Sequence, residues 1–156
     1  MQKPPVDYSG KSRKEDKALL NMNNYVVKRN QELIKQFVKR TGIEMQETGS
    51  GLWYGIYENS KGNPVKNGDI VELSYKLLLL DGTLIDSSGN KNPKVFRVGK
   101  GGVEAGLEEG ALLLHVGDRA RLIIPPHLAF GNFGDEKRIP PGAFLFYDLY
   151  VTGVKQ

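Results

Sequence analysis

The chain has 156 residues, of which 39% are hydrophobic and 26% charged, which is ordinary for a globular protein and enough for one hydrophobic core with an appendage. It contains no cysteine, which excludes disulfides, thiolate metal sites and cysteine nucleophiles, and its two histidines, His115 and His127, are too few for a histidine-rich metal site. The net charge of +4 is uneven, because residues 1–42 carry ten basic and four acidic side chains, whereas residues 43–156 carry twelve and fourteen.

The N-terminal residues 1–11 are expected to form a flexible lead, because Pro4, Pro5 and Gly10 give little to pack. The first five residues have no apolar segment, so no signal peptide is expected in the sequence as given. The longest apolar run, residues 77–80, is far below the roughly 18 residues that a membrane-spanning helix needs.

An amphipathic helix is predicted from about residue 12 to residue 40. Ser12 and Glu15 have the spacing of a capping box, and Gly42 is typical of the position just beyond a helix C-terminus. At about 100° per residue, apolar side chains share one broad face and lysines cluster on the other. The apolar face comprises Leu19, Leu20, Met22, Val26, Val27, Leu33, Ile34, Phe37 and Val38.

This apolar face has three alternative uses. It packs on the chain's own domain, it pairs with a second copy of the chain, or it belongs to an unpaired arm. Asn23 and Asn30, seven residues apart near the middle of the face, would set the register of a helix pair. The basic face is interpreted as a solvated surface, with acidic membranes or nucleic acid as alternative partners. We therefore divide the chain into residues 1–42, the lead and arm, and residues 43–156, the folded domain.

Beyond residue 43 the pattern changes to strands. They are predicted at residues 52–57, 70–80, 96–98, 120–124 and 144–151, with a loop at 59–68 and a short helix at 103–114. Asp81-Gly82 predicts a hairpin turn, since glycine supplies the positive φ that such a turn requires. The predicted fold class is α+β, an antiparallel sheet wrapped over one short helix and preceded by a helical arm.

Several short segments resemble motifs for phosphate binding, acid/base catalysis or nucleophilic catalysis, but none of them matches its motif. Residues 99–102 read GKGG, but the following residues match neither the phosphate-binding loop nor the dinucleotide fingerprint. Glu108 and Glu109 are adjacent, and neighbours in a helix do not face each other, so they do not form an acid/base pair. Ser87 and Ser88 lack the context of a nucleophile elbow.

The most informative stretch is residues 131–151, GNFGDEKRIPPGAFLFYDLYV, in which a charged, glycine-rich loop leads into Ile-Pro-Pro and an aromatic strand. With DG at 81–82, DSS at 86–88 and VEAGLEEG at 103–110, it resembles the signature of FKBP-type peptidyl-prolyl isomerases. The resemblance covers about residues 67–155. It implies an antiparallel half-barrel around a short helix and catalysis of cis/trans rotation about the bond that precedes proline. Such a reaction breaks no bond, so no cofactor or metal is expected.

The resemblance also implies which residues form the site. Catalytic roles fall on Tyr75, Asp86, Phe130 and Tyr147. Substrate-binding roles fall on Ile85, Phe96, Val103, Glu104, Leu107 and Ile139. From periodicity alone, most of these residues would be core residues and Asp86 would be a turn cap.

Some positions depart from the family's pattern. Phe130 stands where a tyrosine is usual, Leu107 where tryptophan is frequent, and Ile85 and Lys94 where aromatic residues are common; Glu104 occupies a typically aliphatic position. These changes keep open a second function on the same fold, a non-catalytic binding module or chaperone with little or no isomerase activity. A third hypothesis is an adaptor that binds acidic surfaces through the arm.

The resemblance implies proline-containing polypeptides as substrates and a macrolide as a potential ligand. The arm is placed like the N-terminal helical segments of bacterial envelope members, several of which dimerise through such segments. This placement implies a homodimer, a periplasmic or outer-membrane lipoprotein form with its signal removed, and peripheral or lipid-anchored membrane association. The cytoplasm is the alternative location, and no nucleic-acid partner is expected.

Overall fold

The computed structural model describes residues 11–89 and 91–156, with side chains described from residue 24 onward apart from residue 90. The chain divides into two compact units, one ending at Gln36 and the other comprising Phe37–Gln156. Of the expected lead at residues 1–11, residues 1–10 fall outside what is described, as do the capping-box side chains and the N-terminal part of the apolar face, Asn23 included. Lys11, which was predicted to belong to the lead, is helical.

Helix α1 comprises Lys11–Thr41, in agreement with the helix predicted at residues 12–40. It ends where Gly42 adopts a φ of +73° and donates its N–H to the carbonyl of Val38 over 2.9 Å. The basic residues Lys39 and Arg40 lie in the last turn, where they complement the negative end of the helix dipole. Within the described part of the chain, no helix is both long and apolar enough to cross a membrane.

The described strands are β1 Gln46–Glu47, β2 Trp53–Glu58, β3 Ile70–Leu79, β4 Leu84–Ser87, β5 Lys94–Arg97, β6 Arg119–Ile124 and β7 Leu145–Lys155. They form one antiparallel sheet in the order β1-β2-β6-β7-β3-β4, and β5 also pairs with β3. A short helix, α2 (Ala105–Ala111), and a 3₁₀ turn at Pro126–Leu128 complete the described elements. The predicted α+β architecture is therefore confirmed.

The long central strands β3 and β7 bury alternate side chains beneath α2. Val71, Leu73 and Leu77 of β3 and Leu145, Tyr147, Leu149 and Val151 of β7 belong to one buried cluster that also contains Leu107 of α2. Burial of this apolar surface is the main favourable contribution to folding. The helix approaches closely because Gly106 and Gly110 lack a Cβ, which would overlap the side chains of Ile124 and Leu122.

The hairpin turn between β3 and β4 is formed as predicted. Gly82 has a φ of +92°, and the Leu79 N–H donates to the Thr83 carbonyl over 2.9 Å. Strand β4 itself was not predicted, because it has only four residues and its outer residue Leu84 is exposed. It carries Asp86 alongside β3, in register with Leu77.

The predicted bounds of helix α2 and strand β7 were wrong for identifiable reasons. Helix α2 is shorter than residues 103–114, because Glu104 has an extended backbone (φ −57°, ψ 140°) and the helix gives way to turns after Ala111. Strand β7 runs to Lys155, beyond the predicted residue 151. Its pairing with β3 shifts register between Glu72 and Leu73, and this bulge lets the strand continue through Gly153, which looks like a strand end in the sequence.

Candidate active site

A phenol and a carboxylate from neighbouring strands face each other at one end of the sheet. The Tyr75 hydroxyl, on β3, donates a 2.8 Å hydrogen bond to Oδ2 of Asp86, on β4. Ser88 holds the backbone of Tyr75 in place through two hydrogen bonds, each 2.9 Å long. The Tyr75 N–H donates to Ser88 Oγ, and the Ser88 N–H donates to the Tyr75 carbonyl. Ser88 is buried, so its hydroxyl acts as a structural clamp on the pair.

The hydrogen bond between Tyr75 and Asp86 changes the acidity of both groups. Burial, together with the hydrogen bond to Asp86, raises the pKa of Tyr75 to about 12. The hydrogen bond from Tyr75 outweighs burial and holds the pKa of Asp86 below its usual value, with further help from the Ser87 N–H, Arg138 and Lys94. At neutral pH the pair is therefore a neutral phenol donating to a carboxylate.

A second phenol and carboxylate meet deeper in the fold. The Tyr147 hydroxyl, on β7, donates a 3.0 Å hydrogen bond to Oε2 of Glu104, and Tyr147 is fully buried while Glu104 is 7% exposed. Burial, reinforced by the charge of Glu104, raises the pKa of Tyr147. The rings of Tyr147 and Tyr75 lie 5.9 Å apart at 56°, so the two phenols form one aromatic wall.

The other candidate residues line an apolar region around this wall. Phe96, Leu107, Ile85 and Ile139 are buried in the same cluster as Tyr147, and Val103, Phe130 and Tyr75 pack against it. The apolar residues among the sequence-predicted site residues thus lie in or against the hydrophobic core, and Asp86 and Glu104 are hydrogen-bonded to Tyr75 and Tyr147. Their roles in catalysis and binding stay predictions.

The charged loop before Ile139 is organised by a single aspartate. Oδ1 of Asp135 accepts hydrogen bonds from the backbone N–H groups of Lys137, Arg138 and Ile139 at 2.9, 2.9 and 2.7 Å. These donors, that of Ile139 above all, hold the pKa of Asp135 below its usual value. Gly134 lies so close to the carbonyl of Ile139 that any side chain there would clash. The loop therefore positions Ile139 at the site.

Two cations stand beside the Tyr75–Asp86 pair. Lys94 Nζ lies 5.0 Å from the centroid of the Tyr75 ring, a distance at which the ring face attracts a cation. Arg138 Nη2 lies 3.7 Å from Asp86 Oδ1. Lys94 was noted in the sequence only as a departure from the family's pattern, and Arg138 was not singled out.

Ser88 and Asp135 were missed as site-organising residues. In the sequence, Ser88 stands out only as part of the DSS motif and as a rejected nucleophile, because its pairing with Tyr75 across 13 positions has no local signal. The role of Asp135 could have been predicted from the sequence, because an aspartate at the start of a turn commonly accepts hydrogen bonds from the N–H groups that follow it. Among residues 24–89 and 91–156, no group of His, Asp or Glu side chains is arranged to hold a metal ion.

Comparison with known proteins matches this geometry to one family. The model of the FKBP-type peptidyl-prolyl cis-trans isomerase family matches residues 61–152. The chain is 36% identical over 125 residues to the FKBP-type peptidyl-prolyl cis-trans isomerase FkpA of Escherichia coli (strain K12), covering 80% of this chain and 44% of that protein. It is 43% identical over 91 residues to the peptidyl-prolyl cis-trans isomerase Fkbp12 of Drosophila melanogaster, covering 58% of this chain and 84% of that protein.

The fold comparison agrees and extends beyond the family's core. The crystal structure of FkpA from Escherichia coli superposes with a TM-score of 0.70 at 31% identity, covering 92% of this chain and 67% of that one. The chain spans less than half the length of the Escherichia coli protein that it matches in sequence. Because the family model matches more than half of its residues, the chain belongs to the FKBP-type peptidyl-prolyl cis-trans isomerase family.

Proposed function

We propose that this protein catalyses cis/trans isomerisation of Xaa-Pro bonds in polypeptides. The observation that supports the proposal is that the apolar family-pattern residues lie in or against one hydrophobic cluster, in which the rings of Tyr75 and Tyr147 are 5.9 Å apart. Membership of the family supports the same activity.

The reaction explains why an apolar site without a nucleophile is sufficient. Rotation about a peptide bond costs about 20 kcal/mol, because the partial double bond is lost in the twisted state. The planar amide is the more polar form, so a water-excluding pocket disfavours it relative to the twisted amide. Phe96 and Leu107 would contact the proline ring and hold it still while the peptide bond that precedes it rotates. No covalent step is required.

Each polar residue then has a defined task. Asp86 accepts from the Tyr75 hydroxyl and thereby fixes the ring that forms one wall of the pocket. Val103 and Glu104 precede α2, where the first N–H groups of a helix lack intrahelical partners and would receive a substrate carbonyl. Phe130 supplies aromatic surface only, since it has no hydroxyl. We assign substrate contact to Ile85 and Ile139 on their placement in the same cluster.

A protease-coupled assay on Xaa-Pro peptides tests this proposal. Micromolar protein should raise the rate of cis-to-trans conversion in proportion to its concentration. A rate equal to the uncatalysed one over that range would contradict the proposal.

A binding module without turnover is the second candidate. It is favoured by Glu104, which puts a carboxyl group beside Tyr147 where an aliphatic side chain is usual, and by Phe130, which lacks the hydroxyl donor of the usual tyrosine. A chaperone of this kind would bind a proline-containing peptide in a titration and leave its isomerisation rate unchanged. The two functions are therefore separated by measuring affinity and rate on the same peptide. A macrolide that competes for the peptide would show that both occupy the same pocket.

The N-terminal helix is proposed as a dimerisation arm within residues 1–42, with the catalytic domain in residues 43–156. Tyr25, Val26 and Leu33 of the helix are exposed, which leaves large apolar side chains for a second copy to cover. Light scattering should find a dimer for the full chain and a monomer for a chain that starts at Ile43. A full-length monomer would contradict the arm's role.

We further propose a location in the bacterial cell envelope. The fold match to the Escherichia coli protein covers 92% of this chain, well beyond residues 61–152, and so supports a likeness in the arm as well as in the domain. Periplasmic, lipoprotein and peripherally membrane-associated forms are all consistent with this proposal. Fractionation of cells that express the native gene would test it, and recovery in the cytoplasmic fraction would contradict it.

A further inference from the structure

Two cationic side chains lie at the edge of the candidate site, and the proposed isomerisation mechanism gives neither of them a role. Lys94 lies at the start of β5, over the ring of Tyr75, and Arg138 lies at the end of the charged loop, beside Asp86. Both contacts are to the same hydrogen-bonded pair. The two cations therefore flank the Tyr75 wall of the pocket from separate elements of the fold.

The carboxylates near these cations are already engaged. Asp86 accepts hydrogen bonds from Tyr75 and Ser87. Glu104 is buried and accepts from Tyr147, and Asp135 accepts from backbone N–H groups of its own loop. Glu104 therefore points into the core and Asp135 into its own loop, whereas the Asp86 side chain is 43% exposed but already hydrogen-bonded through both oxygens.

The cations, in contrast, keep most of their bonding capacity. Lys94 forms no ion pair with any side chain in the described residues, and the contact of Arg138 with Asp86 is long, at 3.7 Å, with the arginine side chain 64% exposed. Glu136 and Lys137 lie exposed on the same loop and offset each other in charge. The edge of the site thus presents two positively charged side chains, Lys94 and Arg138, to an incoming peptide.

We propose that Lys94 and Arg138 are specificity-determining residues that favour substrates with glutamate or aspartate directly before proline. The inference rests on the proposed isomerase function and names the substrate class of the same site. When the proline ring contacts Phe96 and Leu107, the preceding residue lies one peptide unit away, about 3.8 Å between Cα atoms, and we place its side chain on the Tyr75 side of the site. A carboxylate there meets both cations at a partly desolvated edge, where opposite charges raise affinity and association rate.

Matched peptides separate this charge preference from general activity. Acetyl-Ala-Xaa-Pro-Phe-amide peptides with Xaa as Glu, Gln or Leu differ at one side chain and carry no terminal charge. Exchange spectroscopy by NMR gives kcat/KM without a coupling protease, which would have preferences of its own. The variants are Lys94→Met and Arg138→Met, and Lys137→Met is the control, because it removes the same charge from the same loop away from Tyr75 and Asp86.

The expected result is a Glu-to-Gln ratio of kcat/KM of about three to ten in the native protein at low salt, which is the size of a pair of partly exposed charge interactions. Salt at about 0.5 M should lower the ratio towards one, since it screens exposed charges. Lys94→Met and Arg138→Met should each lower the ratio, and Lys137→Met should leave it unchanged. A ratio of one or less in the native protein, or an equal loss in Lys137→Met, would overturn the inference. If no peptide is isomerised, the proposed function itself fails.

Discussion

The hydroxyl of Tyr147 and the carboxylate of Glu104 form a buried hydrogen bond of 3.0 Å between the last strand and the residue that precedes helix α2. Each group satisfies the other in a region where water does not reach, since Tyr147 is fully buried and Glu104 nearly so. A buried polar atom without a partner is costly, so the two residues are expected to tolerate change only together. The bond also holds the backbone on which substrate recognition would depend.

Single substitutions at this pair should destabilise the protein more than the combined one. Tyr147→Phe leaves the buried Glu104 carboxylate without its donor, and Glu104→Ile leaves the hydroxyl without its acceptor. Each should lower the free energy of unfolding by about 1–3 kcal/mol, whereas the double variant should lose less than the sum. Urea unfolding of the four proteins measures this coupling. Strict additivity would show that the hydrogen bond contributes nothing.

Tyr75→Phe should lower the free energy of unfolding at neutral pH by about 0.5–1 kcal/mol. The value is modest because water screens the partly exposed Asp86 carboxylate. The hydrogen bond lowers the pKa of Asp86 in the folded state. The stabilisation that this hydrogen bond gives is therefore fully present above the pKa of Asp86 in the unfolded chain, about 3.9. It is lost as the pH falls through the lower pKa of Asp86 in the folded protein.

The pH dependence supplies the check on that prediction. Unfolding at pH 7 should separate the native protein from Tyr75→Phe, and the difference should shrink below about pH 4, as the carboxylate becomes protonated. NMR titration should show a higher Asp86 pKa in the variant. A difference in stability that is constant from pH 7 to pH 2.5 would mean that the hydroxyl acts by packing alone.

Asp135→Ala should impair activity far more than stability. Without the acceptor for three backbone N–H groups, the loop no longer fixes Ile139, and a small displacement of a substrate contact lowers kcat/KM by roughly tenfold. Asp135→Asn retains Oδ1 and should be milder. Glu136→Gln changes charge on the same loop without touching these bonds, so it is the control. Equal activities of Asp135→Ala and Glu136→Gln would contradict this role.

Gly106→Ala should destabilise the fold by about 1–3 kcal/mol, because its new methyl group would overlap the side chain of Ile124 and force α2 away from the sheet. Gly153→Ala is the matched change, since no atom lies within 4 Å of the added Cβ and the backbone there needs no positive φ. Thermal unfolding of the two variants compares them directly. A similar melting temperature for both would show that α2 does not need this close approach.

The longer regular elements could be predicted because their signals are local, whereas the short strands β1 and β4 were missed. Alternating buried residues in β3, the Asp81-Gly82 turn and the glycine that ends α1 each lie within a few residues of the structure they specify. The candidate site residues come from a motif spread over the chain, and the structure places the apolar ones in or against the hydrophobic core, while their roles stay predictions.

The interactions that organise the site could not be predicted in the same way, because they join distant residues. Glu104 and Tyr147 are 43 positions apart, and each reads as an ordinary residue of its own element. Arg138 belongs to the Asp135 turn and lies beside Asp86 of strand β4, 52 positions earlier in the chain. Ser88, which clamps Tyr75, looks in the sequence like any serine after a strand.

The most direct test of the central claim compares adjacent residues of strand β5. Phe96 is buried in the site cluster, whereas Val95 points to the opposite face and is 57% exposed. Exchange NMR on an Xaa-Pro peptide should show catalysis by the native protein and by Val95→Ala. Phe96→Ala, measured at a temperature where it is folded, should lose at least about tenfold in kcat/KM, in keeping with the loss of a large pocket contact. Exchange at the uncatalysed rate with native protein, or equal catalysis by both variants, would contradict the account.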